Sequence, residues 1–182
     1  MPNNLRAANK YHKIVDRLEL TRSKVESLLA SRKINLNDVE HVYVGLFLRA
    51  FAEFEALVES VFVAIVSGSR KSTHTKKRFR ITPSEQVQEI VFREKKYLDW
   101  LPIDGRVEER AKLFLDPPKP FLGLTDQQEL TLKKYSKLRN ALAHQSEYSK
   151  REFEKYFRLE ALRPEEQTPT GYLRSKPSGT LN

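Results

Sequence analysis

The sequence predicts an all-α fold, a bundle of about five to six antiparallel helices with short and medium connections. Three observations predict it. Apolar residues recur at three, four and seven positions along the long segments, helix-start signatures precede several of them, and no run of alternating apolar and polar residues lasts long enough to make a strand. The 182 residues, 39% of them hydrophobic, suffice for one core, and we expect one helical domain over 1–163 followed by a flexible tail over 164–182.

Leu5, Ala8, Val15, Leu18, Val25 and Leu29 place one apolar stripe on a helix from Asn4 to Ser31, with Lys and Arg on the other face. Asn37 and Glu40 have capping-box spacing and start the core helix, whose wide band of Leu46, Phe47, Phe51, Phe54, Leu57, Val58, Val61, Phe62 and Ile65 ends at Ser67-Gly68-Ser69. Residues 69–80 are polar, basic and aperiodic, a mobile interhelix loop. Thr82-Pro83-Ser84-Glu85 opens another helix, with Thr at the cap and Pro at the first helical position, and Tyr97, Trp100 and Leu101 wedge its end. A shorter helix covers Val107–Leu115, and Asp116-Pro117-Pro118-Lys119-Pro120 cannot continue it. Thr125 or Asp126 caps the next helix, which reaches His144 or Gln145; Ser149 and Glu152 cap a last one, to about Leu162. The loose tail follows from Pro164, with Tyr172 and Leu173 able to dock.

Lys and Arg outnumber Asp and Glu by 33 to 24, giving a formal charge of +9, and the pI is near 9.7. That excess favours a polyanionic partner, because bound phosphates release condensed counterions. In the loop, Arg70, Lys71, Lys76, Lys77, Arg78 and Arg80 can contact phosphates and Phe79 can stack on a base; an ordinary solvated loop is the equal alternative. With no Cys the chain forms neither disulfides nor thiolate metal sites, which fits a reducing, cytoplasmic setting. His12, His41, His74 and His144 lie too far apart for a local metal motif, so no metal and no cofactor are expected. The longest purely apolar run, Val61–Val66, is far too short to cross a bilayer.

The residues with the most chemistry are Arg139, Asn140 and His144, within Lys137-Leu138-Arg139-Asn140-Ala141-Leu142-Ala143-His144-Gln145. A 100° step per residue gathers Leu132, Tyr135, Leu138 and Leu142 on one side of the helix and Lys133, Lys137, Asn140 and His144 near the other. Arg139 falls close to the apolar stripe, so it must snorkel, find a carboxylate or lie in a subunit interface. Glu53, Glu55, Arg49 and His41 are candidate supports for the site, and Lys133 and Lys137 candidate RNA contacts; ordinary salt bridges are the commoner fate of such residues. A histidine that moves protons, an arginine that meets anionic charge and an amide that orients a group suit general acid–base work on a phosphodiester.

Arg139-Asn140-Ala141-Leu142-Ala143-His144 resembles the R-x4-6-H motif of the HEPN superfamily, in which a polar residue often follows the arginine. The segment from Val44 to Leu57 is similar to the early core helix of the RiboL-PSP and related defence branches, and the likeness extends over residues 5–162. It implies a helical bundle, homodimerisation that joins two motifs, and metal-independent endoribonuclease activity on RNA, transfer RNA among the substrates. It also implies a toxin, abortive-infection or antiviral role with an antitoxin or defence partner protein. One departure is visible: where toxins paired with a nucleotidyltransferase carry a tyrosine two residues past the histidine, this chain has Ser146, and Tyr148 is displaced by two. The alternatives are a catalytically silent HEPN-like RNA-binding module, or a helical protein whose basic faces meet an acidic partner.

Overall fold

The computed structural model describes residues 3–68, 76–77, 90, 100–101, 106–144, 146–157 and 163–174. The chain is predominantly helical: α1 (Asn3–Ala30), α2 (Leu36–Ser67), α3 (Arg106–Phe114), α4 (Asp126–Ala143), α5 (Glu147–Phe157) and α6 (Pro169–Arg174), with a 3-10 turn at Pro164–Glu166. Two two-residue strands, β1 (Lys76–Lys77) and β2 (Leu115–Asp116), pair antiparallel with Lys76 opposite Asp116 and Lys77 opposite Leu115. The helix expected from Thr82 lies outside the described residues apart from Ile90, which is helical, and Trp100 and Leu101, which are buried. Two residues of the basic segment, expected to be wholly loop, are thus in a strand, and Leu115 leaves the helix predicted for it.

The chain divides into two compact units, one of Met1–His12 with Glu53–Lys133, the other of Lys13–Ala52 with Lys134–Asn182. The helices α1, α2 and α4 each contribute to both units.

In the first unit the second half of α2 supplies Val58, Phe62, Ile65 and Val66, which pack with Val107 and Ala111 of α3, Leu115, Phe121 and Trp100. Phe62 is wholly buried, with ring centroids of Trp100 at 5.3 Å and Phe121 at 5.2 Å and an edge contact to Phe114 at 6.2 Å. Glu59 sits one turn before Phe62, so the same helical face offers an acceptor: Trp100 Nε1–H donates to Glu59 Oε2 at 2.8 Å.

The second unit holds two clusters. Val25, Val39 and Tyr43 join α1 to α2, while Leu138 and Ala141 of α4 pack with Phe153 and Phe157 of α5 and Tyr172 of α6. Leu173 packs against both. The cap of α2 is Asn35 rather than Asn37: Asn35 N–H donates to Asp38 Oδ2 and Asp38 N–H to Asn35 Oδ1, each at 3.0 Å. Both asparagines have an acid three residues on, and the reciprocal bonds form at the earlier pair. The cap of α5 likewise moves from Ser149 to Ser146, whose hydroxyl accepts from Ser149 N–H at 3.2 Å; Ser149 is buried at the third helical position. Residues 158–162, expected to end that helix, lie outside the described set.

Within the segment read from composition as a tail, Tyr172 and Leu173, the two residues named as able to dock, both pack against the second unit's clusters. Tyr172 is buried beside Phe157 and Phe153, and burial pushes its phenol up to about 12. The Arg174 guanidinium makes two bonds to the Glu26 carboxylate, both 3.1 Å, and Tyr43 Oη–H donates to the same carboxylate at 2.7 Å. Gly171 seats α6 against the preceding turn, where a Cβ would strike the Glu165 carbonyl. Composition marked the segment as tail, but two apolar residues, one salt link and one glycine dock it. Residues 175–182 are not among those described.

Two outcomes follow. Trp100→Phe keeps most of the apolar contact and strands the Glu59 acceptor, so it should lower stability by about 1–3 kcal/mol in urea unfolding followed by far-UV circular dichroism. The Arg174 bonds hold the Glu26 carboxyl below its usual value. A depressed carboxyl pKa contributes stability that is fully present above the ordinary value near 4.3 and lost as pH falls through the lowered value. Protection of the Tyr172 amide against hydrogen exchange should therefore fall in that acidic window, and Arg174→Ala should abolish this pH dependence.

Candidate functional site

The site is built on the end of α4. Thr125 caps the helix: its N–H donates to Gln128 Oε1 at 2.9 Å and its hydroxyl accepts from Gln128 N–H at 3.3 Å. Eighteen residues then run unbroken to Ala143. Leu138 is fully buried and Ala141 nearly so, which fixes the rotation of the helix about its axis. At 100° per residue, burying those two turns Asn140 away from the core, and His144 follows just past the helix end. His144 is exposed, and Arg139 and Asn140 are half-buried.

Asn140 links the other two. Its side-chain Oδ1 accepts from Arg139 Nη1–H at 3.0 Å, and its backbone carbonyl accepts from His144 N–H at 2.9 Å. The second bond closes the last turn, so His144 is the first residue beyond the helix rather than its last residue. Because Oδ1 is occupied, the amide presents its NH2 donors, and the guanidinium keeps further N–H groups for an incoming anion. Arg139, half-buried, donates to a neighbouring amide, which does not neutralise its charge.

The remaining predicted residues divide. Lys137 is held by Glu152, Nζ to Oε2 at 2.6 Å, and that contact raises its pKa; an RNA phosphate would have to compete with a carboxylate already in place. Glu152 therefore serves as a partner for α4, not as the capping residue predicted for it. Arg49 is exposed and belongs to the same unit as the trio, whereas Glu53, Glu55 and Lys133 belong to the other. Of the loop residues, Arg70, Lys71, Arg78, Phe79 and Arg80 lie outside the described set, and Lys76 and Lys77 are described only as backbone of β1. Ser146 spends its hydroxyl on capping α5, while Tyr148 is 72% exposed.

Two features escaped sequence reasoning. Lys134 Nζ sits 4.6 Å from the Phe157 ring centre and 5.1 Å from that of Tyr172, with burial lowering its pKa. An open cavity of about 540 Å³ is lined by Glu40, His41 and Val44 of α2, Leu142 of α4, and Phe153 and Glu154 of α5, with residues 167–170 closing one side. Arg139, Asn140 and His144 do not line it. Among the described residues no group of three or more His, Cys, Asp or Glu side chains is placed to hold a metal ion, and no helix is long and apolar enough to cross a membrane.

Compared with family profiles, curated proteins and solved structures, the chain gave no match. What the fold and the site define is thus a predominantly helical protein with an Arg–Asn–His constellation on a solvent-facing helix end.

The stability of this constellation is itself testable. Asn140 is half-buried and its side chain bonds only to Arg139 among the described residues, while alanine has the better helix propensity. Asn140→Ala should therefore unfold within about 1 kcal/mol of wild type in urea; a loss above about 2 kcal/mol would mean the amide is a structural element.

Proposed function

We propose that this chain is a HEPN-type endoribonuclease that cuts RNA through attack of the ribose 2'-hydroxyl, working as a two-fold homodimer. The observation that carries the reading is the bond from Arg139 to Asn140 beside an exposed His144. It leaves a guanidinium charge, amide donors and an imidazole together at one helix end.

The chemistry follows from those groups. One imidazole takes the 2'-hydroxyl proton, and the alkoxide forms the new bond to phosphorus. The bond from phosphorus to the 5'-oxygen breaks, and an imidazolium protonates that oxygen, leaving a 2',3'-cyclic phosphate and a free 5'-hydroxyl. One histidine does not serve both ends of an in-line displacement in the same turnover, whereas His144 from each of two chains does. Arg139 stabilises the charge that grows on the phosphoryl oxygens, and the Asn140 amide orients one of them. In-line attack needs a flexible backbone, which favours single-stranded or loop RNA, including that of transfer RNA, over an A-form helix. Excess positive charge, +9 over the chain, suits such a substrate.

On this reading the protein acts as a toxin, abortive-infection factor or antiviral effector, restrained by an antitoxin or defence partner. Such a partner would not use tyrosine modification two residues past His144, where Ser146 is a helix cap.

Incubation of transfer RNA or total RNA with purified wild type and with His144→Ala, both in EDTA, tests the proposal. Wild type should yield 2',3'-cyclic phosphate ends, and the variant should cleave at least about a hundredfold more slowly while binding RNA with little change. Equal cleavage by both proteins, or none by wild type, would count against it.

A further inference from the structure

We propose that the cavity between α2, α4 and α5 is a binding site for a small aliphatic diamine or polyamine, apart from the Arg139–His144 constellation. Its volume of about 540 Å³ lies within the roughly 300–1,000 Å³ usual for small-molecule sites. Val44 and Leu142 line it with apolar surface, backed by the buried Phe153.

The charges around that surface choose the ligand. Glu40, half-buried on α2, and Glu154, exposed on α5, both line the cavity, and neither carboxylate has a cationic partner among the described residues. Lys150, the one lysine or arginine of the lining among the described residues, has its ammonium 3.0 Å from the Glu147 carboxylate. His41 adds an acceptor: its Nδ1 lies 2.7 Å from the Asn37 carbonyl. A carbonyl only accepts, so Nδ1 carries the proton, and in the tautomer protonated there alone Nε2 is an acceptor. The cavity thus offers carboxylates from two different helices and an imidazole acceptor around an apolar surface, on a chain that is otherwise strongly basic.

An anion would meet two carboxylates there. A metal ion lacks a ligand set, since no three acidic or histidine side chains converge among the described residues. A neutral apolar molecule would leave both carboxylates unused. A flexible chain of methylenes with an ammonium at each end satisfies all the features: each charge meets a carboxylate, and the hydrocarbon lies on Val44 and Leu142. Leu142 and Ala141 also line the site and fall between Asn140 and His144 in sequence, so occupancy bears on the turn that carries the trio.

Titration calorimetry of the full-length, nucleic-acid-free protein at fixed ionic strength tests this with spermidine, butane-1,4-diamine and butylamine. The two polyvalent amines should bind at least about tenfold more tightly than the monoamine. Glu154→Gln, at an exposed position where folding is not at risk, should weaken them about three- to tenfold, and Glu40→Gln similarly. Affinity that is the same for all three amines, or indifferent to Glu154→Gln, would overturn the proposal in favour of diffuse surface charge. A lysine-bearing apolar peptide that binds in a Glu154-dependent way while the free amines do not would overturn it in favour of a protein partner.

Discussion

The burial of Leu138 and Ala141 is the constraint on which the site depends. Leu138 has no exposed surface, and Ala141 packs with it against Phe153, Phe157 and Tyr172. A helix that buries those two positions has no freedom to rotate, so the outward placement of Asn140 is a consequence of core packing rather than of the polar residue itself. α6 takes part in the same constraint. Tyr172 completes the cluster, Arg174 ties α6 to Glu26 of α1, and Leu173 touches the second cluster as well. The C-terminal segment therefore helps to hold the helix that carries the candidate site.

Much of this was legible in the residues. Periodicities of three and four located α1, α2 and α4 to within a few positions, because long amphipathic helices write their buried face into the sequence many times over. Caps were legible in kind but less so in place. Asn35-x-x-Asp38 and Asn37-x-x-Glu40 share the same spacing, as do Ser146 and Ser149 with the residues after them, and only the backbone decides which pair exchanges bonds. In residues 163–174 the sequence marked Tyr172 and Leu173 as able to dock, but a composition of prolines and polar residues hid the rest of the attachment. What fixes it are contacts distant in sequence, such as Arg174 with Glu26, which no local pattern encodes.

The candidate site divides in the same way. Wheel geometry set Asn140 and His144 on the side away from Leu138; Asn140 is half-buried, and His144, just past the helix end, is exposed. It did not anticipate that Arg139 would donate to its own neighbour, nor that Lys137 would be taken by Glu152, fifteen residues on. The cavity was illegible for a further reason: its lining comes from α2, α4, α5 and residues 167–170, and none of these segments carries a motif by itself. Charge, which reads as a uniform excess of Lys and Arg in composition, is locally reversed there by Glu40 and Glu154.

The central claim is that the Arg139–Asn140–His144 constellation is half of a two-fold catalytic site. Sedimentation equilibrium of the RNA-free protein across a wide concentration range tests it most directly. The account predicts a species of twice the 21.3 kDa chain mass, retained in His144→Ala because the exposed imidazole contributes chemistry rather than folding. A monomer at every concentration, with and without RNA, would contradict the claim and leave one histidine to do the work of two.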